Sequence, residues 1–262
     1  MLMRLLDQTL EALRGLDVER DAAAFSEQVL THNPAPFREA PGELSAVLAE
    51  DDPDAPRPVD RLGALLLARA QLRLIKEIPE HVAELLELAR EGHASPHVRC
   101  AVLGALAYLV QPVELVDDRA PGGYGFVDDC IVLKTMRLAL ARMGVGVTLE
   151  PGRELRALSL LALALSPADF ERMQHLVTHT WNEIHLLHML PASVAAARAR
   201  KIETCPLALH HDWSRPGSSF TLDTPYLRHG GFGEVDDEGI TIDFAGGGAV
   251  HMTPGGDISA YE

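Results

Sequence analysis

Basic residues are the scarcer charged class in this chain: 23 Lys and Arg stand against 38 Asp and Glu, a formal net charge of −15 over 262 residues. Nucleic acids and anionic membranes are bound by basic surface that replaces counterions or meets headgroups, so this balance argues against both as partners. Aromatic residues are also few, 5% against 47% hydrophobic, which points to a core of Leu, Ala and Val. The 3 cysteines, Cys100, Cys130 and Cys205, show no paired spacing, and the first two sit in apolar helical runs where a thiol behaves as a small hydrophobe. A reducing, cytoplasmic location is the expectation. Long apolar runs are missing as well: each candidate is interrupted by charge before the roughly 20 residues a bilayer needs. Arg4, Asp7, Glu11 and Arg14 break up the N-terminal segment, which leaves no secretory core and reads as an amphipathic helix.

What is present is helical periodicity from Met1 to Lys201, broken at Pro and Gly. Leu2, Leu5, Leu6, Leu10 and Leu13 form one face of a first helix ending near Gly15, and further helices are expected over 18–30, 43–50, 60–76, 79–90 and 96–110. Others follow over 127–143 and 152–165, then from Ser166 until Pro191, and over 192–201. Ser166, Pro167 and Asp169 make a marked start, with a cap, a proline at the first helical position and an acidic residue closing a capping box. The acidic, Pro-rich run from Asp51 to Pro58 reads as a linker. Beyond Ile202, Gly, Pro, Asp and Thr dominate, and this tail carries about half of the net negative charge. Alternation at Ile240, Ile242 and Phe244, followed by AVHMT and ISAY between Gly- and Pro-rich turns, outlines a small β-meander. No regular element is expected between Thr204 and Glu238. The expected fold is therefore mainly α: a multi-helix bundle over 1–201, then an acidic C-terminal segment, 202–262, with an irregular part and the meander.

The chain is organised around Tyr108 to Cys130, YLVQPVELVDDRAPGGYGFVDDC, which places Glu114, Asp117, Asp118, Asp128 and Asp129 at a bend between two very apolar segments. The bend reads as the tip of a buried helical hairpin. In the order of Tyr108-Leu109, Pro112, Leu115, Asp118, Pro121, Gly125 and Asp128-Asp129, the stretch resembles the YkvA family, a short helical domain of unknown function. That family runs Tyr-Leu, Pro-Ile-Asp-Leu-Ile-Pro-Asp, a Pro/Gly loop, and Leu-Asp-Asp before a second apolar helix. Here Glu114 stands where the family has Asp, Asp117 where it has Pro, and the loop before Gly125 is one residue longer. The resemblance covers residues 98–143; it implies a helical hairpin and carries over no catalytic residue.

Two constellations bear on chemistry. Asp117 and Asp118 end one helix and Asp128 and Asp129 start the next, a set of hard oxygen ligands suited to Mg²⁺, Mn²⁺ or Ca²⁺. The same residues also suit a structural role, Asp128 and Asp129 as helix caps and Asp118 as an acceptor for loop backbone. The second constellation is a helical stripe of His175, His179 and Glu183, which can supply three metal ligands or form a solvated polar face. It lacks the HExxH arrangement of a zinc protease. Gly122-Gly123-Tyr124-Gly125 lacks the Lys-Ser/Thr of a phosphate loop and reads as a turn, and His210, His211 and Asp212 have no nucleophile elbow beside them. No motif commits the chain to a reaction. Two functional classes follow: an interaction or scaffold protein without enzymatic activity, engaging a protein partner or itself through the hairpin tip or the acidic tail; and a metal-dependent, hydrolase-like enzyme using the tip carboxylates or the His stripe with Mg²⁺ or Mn²⁺ as cofactor.

Overall fold

A computed structural model describes residues 1–37, 61–90, 92, 94–111, 115–147, 149–173, 187 and 190–208, and the backbone at 231–236, 239–243, 249–252 and 258–261. The protein is mainly helical. The helices are α1 (Leu2–Arg14), α2 (Val18–His32), α3 (Arg61–Ile75), α4 (Ile78–Ala89), α5 (Pro96–Tyr108), α6 (Val127–Arg142), α7 (Pro151–Ala162) and α8 (Ala192–Thr204). Residues 167–173 are helical too, and the capping box is formed: Ser166 Oγ accepts from the Asp169 amide at 3.1 Å and donates to Asp169 Oδ2 at 2.6 Å. The expected helix over 43–50 lies outside the described residues. So do His175, His179 and Glu183, and with them His210 and His211.

Each helix starts or faces as its sequence dictates. Leu2, Leu6, Leu10 and Leu13, spaced by three or four, are the buried stripe of α1. Asp17 caps α2 by accepting from the Arg20 amide, and Ser95 caps α5 by accepting from the Val98 amide. The exception is α6, which is buried all round from Val127 to Leu140 and packs against α3, α4, α5 and α7. A helix surrounded in this way becomes the axis of the core. Cys100 and Cys130 are buried and Cys205 exposed, and none of the three is in a disulfide. Among the described residues no helix is long and apolar enough to cross a membrane.

In the C-terminal segment the backbone of Gly231–Asp236, Gly239–Asp243, Ala249–Met252 and Ile258–Tyr261 pairs antiparallel in sequence order. The first of these strands falls inside the stretch expected to hold no regular element. Its sequence, GFGEVD, lacks alternation, and its register with the next strand shifts between Phe232 and Val235.

Between α5 and α6 the chain turns through a short 3₁₀ segment, Pro121–Phe126, that packs against α2. Gly122 and Gly123 there have φ of 69° and 80°, a region that side chains with a Cβ avoid. Gly125 has a different reason to be glycine: a Cβ on it would lie 2.5 Å from Asp118 Cα and 2.6 Å from Asp117 O. The descending arm of the tip is therefore laid directly on the start of α6. Gly125→Ala is expected to destabilise the protein by about 1–3 kcal/mol, the usual range for overpacking against backbone that cannot move aside. Thermal unfolding measures it.

Candidate functional site

Glu114 lies outside the described residues, and the other four tip carboxylates divide into two pairs with different environments. Asp117 and Asp118 are exposed, whereas Asp128 and Asp129, in the first turn of α6, are both 0% exposed. No side chain caps α6. The expectation that Asp128 and Asp129 cap the helix is corrected here: Asp128 Oδ2 instead reaches across the hairpin, accepting from the Tyr108 hydroxyl at 2.9 Å and from the Leu115 and Val116 amides at 3.1 and 3.2 Å. The close approach of the descending arm to Gly125 is what brings those two amides within reach of α6. Asp117 Oδ1 accepts from the Arg119 amide at 3.0 Å, a local turn bond. Three donors on one oxygen of Asp128 thus join the end of α5, the loop and α6.

The remaining oxygens of the buried pair are orphans. Among the described residues, Asp128 Oδ1 and both oxygens of Asp129 have no hydrogen-bond partner. Burial is the main cause that raises both carboxyls above the ordinary carboxylate range; Asp118 adds to it for both, and Asp128 adds to it for Asp129. For Asp128 the bonds from Tyr108 and Val116 act the other way and fall short of the burial effect. A proton on Oδ1 of Asp128 leaves Oδ2 free to accept all three bonds, so the neutral acid is compatible with the geometry. Among the described residues no group of three or more His, Cys, Asp or Glu side chains is placed to hold a metal ion.

A second polar cluster lies deeper along α6. Lys134, whose side chain is 2% exposed, has its Nζ 2.7 Å from Glu77 and 3.3 Å from Glu154. Arg137 holds Glu84 at 2.7 Å and the other oxygen of Glu154 at 2.6 Å, and its Nη1 lies 3.0 Å from His81 Nε2. Burial first, then the neighbouring cations Lys134, Arg137 and Arg153, push His81 down to about 3, so it stays neutral and accepts from Arg137. Cys130 is pushed up to about 12, chiefly by burial, which leaves it an inert thiol. This network clamps α4, α6 and α7 together, and its members are occupied with one another.

Outside the tip the chain leaves a cleft of about 330 Å³. One side is the loop, Leu115, Val116, Asp117, Arg119 and Ala120; the others are Gln28 and His32 from the end of α2, Tyr124, and Asp169. Tyr124 is fixed by its hydroxyl, which donates to the Ala164 carbonyl at 2.7 Å, and by the His32 ring stacked on it at 5.3 Å and 12°. Burial, with Asp169 and Asp128 nearby, raises its hydroxyl pKa. Sequence reasoning picked out Asp117 but missed His32, Tyr124 and Asp169 as its neighbours, because three distant segments meet here and no spacing marks them.

In comparisons with known proteins, no family model, no curated protein and no solved structure matches this chain.

Proposed function

We propose that this is an interaction protein in which the helical body holds the hairpin tip rigid and the tip docks a protein partner. One observation carries the reading. Asp128, the carboxylate best placed for chemistry, instead directs one oxygen at Tyr108, Leu115 and Val116 and so fixes the loop that presents Asp117, Asp118 and Arg119 to solvent beside the cleft. A preformed, charged, exposed surface is what a partner needs if binding is not to be offset by the ordering of a loop. The likeness of the hairpin to the YkvA family agrees with a helical hairpin as the unit. We read the C-terminal segment, 202–262, as a separate acidic module with a small β-meander, a second surface for the same partner or for self-association.

The test is quantitative affinity purification with the wild type and with the charge swap Asp117→Lys, Arg119→Glu, two exposed positions whose exchange leaves the core intact. Specific proteins recovered with the wild type are expected to fall by about tenfold or more with the swap, as they do when a contact at the centre of an interface is reversed. The same proteins in the same amounts would overturn the reading.

A second reading, metal-dependent chemistry at the tip, is favoured by the orphan oxygens of Asp129. It would make the wild-type unfolding midpoint rise with Mg²⁺ or Mn²⁺ and fall with EDTA, and Asp118→Asn with Asp129→Asn would remove both responses. The docking account expects a midpoint indifferent to all three additions.

A further inference from the structure

The cleft beside the tip has a chemistry that docking alone does not specify. We infer that it receives a lysine or arginine side chain of the protein partner, an inference that rests on the docking reading above. Four observations point the same way. First, two carboxylates line the space, Asp117 and Asp169, and Asp118 follows Asp117 in the exposed loop. The cations nearby are Arg119 on the lip, itself exposed, and Arg172, whose side chain is 63% exposed and 3.4 Å from Asp169. Both are exposed, whereas Asp117 and Asp169 are each held in place by a hydrogen bond, from the Arg119 amide and from the Ser166 hydroxyl.

Second, the wall is flat and aromatic. His32 lies stacked on Tyr124 with the rings 12° from parallel, so a planar guanidinium or the alkyl stem of a lysine can lie along it while the charged end meets oxygen. Third, the volume of about 330 Å³ sits at the small end for ligand sites, enough for one long side chain rather than a folded element. Fourth, the chain as a whole carries −15, a field that draws in a basic partner and turns away an acidic one.

The experiment uses the full chain, labelled with ¹⁵N, titrated separately with the N-acetyl N-methylamides of lysine, arginine and glutamate at low and high salt. Saturable shifts of the Ala120 and Tyr124 amides are expected with lysine and arginine, at dissociation constants of roughly 1–10 mM for so small a probe. Glutamate is expected to leave them in place. Asp117→Asn keeps the turn bond to Arg119 and is expected to weaken lysine binding by about threefold, while Arg119→Ala strengthens it by a similar factor. Equal shifts from glutamate, no response to lysine or arginine up to roughly 50 mM, or titrations unchanged in Asp117→Asn would each overturn the inference. Should partner recovery depend on Asp117 and Arg119 while lysine and arginine give no shift, the docking reading stands and the basic side chain is excluded.

Discussion

Glu154→Ala is expected to destabilise the protein by about 3 kcal/mol, because it takes a partner from each of two buried cations at once. Glu154 is 7% exposed, and its two oxygens separately hold Lys134 and Arg137 from the buried axis helix. Each cation retains other partners, Glu77 for Lys134 and both Glu84 and His81 for Arg137, which is why the loss is put at the lower end of what breaking a buried pair costs. Glu84→Ala, whose side chain is 30% exposed, removes one bond at the edge of the cluster and is expected to cost about 1 kcal/mol. Added salt distinguishes this network from a surface one: a cluster shielded by α4, α6 and α7 should lose little of its strength in concentrated NaCl. Denaturant unfolding of the variants in low and high salt measures both effects. Equal losses for Glu154→Ala and Glu84→Ala would show that the paired contacts of Glu154 are not the joint that holds the three helices.

The two adjacent aspartates of α6 are expected to respond in opposite directions. Asp128→Ala leaves the Tyr108 hydroxyl and the Leu115 and Val116 amides without their acceptor, and a loss of about 2–4 kcal/mol follows from stranding several buried donors. Asp129 accepts no bond among the described residues, and burial holds its carboxyl well above the usual range. The folded chain therefore binds more protons at this site than the unfolded chain, and its contribution to stability falls as pH rises above the ordinary carboxylate value near 4 toward the raised folded value. Asp129→Asn removes the ionisation. It is expected to stabilise the protein by about 1–2 kcal/mol at pH 8 and to change little near pH 4, with a correspondingly flatter pH profile. A bound divalent cation would reverse that sign, since the substitution would then remove a ligand.

Much of the helical body was legible because its code is local. The stripe of leucines in α1, the cap at Ser166 and the glycines of the turn each act within a few residues. The hairpin was legible as well, since two apolar runs flank a Pro/Gly bend. The roles of the tip carboxylates were not. Asp128 and Asp129 carry the signature of helix caps, and only the contact of Gly125 with Asp118 shows that the loop is drawn close enough for Asp128 to bond across the hairpin. The ionic cluster had left a trace, Lys134 and Arg137 inside an otherwise apolar run, but their partners come from Glu77, Glu84 and Glu154 on other helices. The cleft depends on residues from α2, the loop, the 3₁₀ turn and the helical stretch that starts after Ser166, a meeting that spacing along one element cannot encode.

The central claim is that Asp128 holds the loop of the hairpin in a fixed form. Amide hydrogen exchange at Leu115 and Val116 tests it most directly, in the wild type and in Asp128→Ala, with the amides of α6 as the internal reference. Protection of both loop amides in the wild type is expected, with selective loss in the variant while α6 remains protected. Leu115 and Val116 amides that exchange freely in the wild type, or that keep their protection without Asp128, would contradict the account.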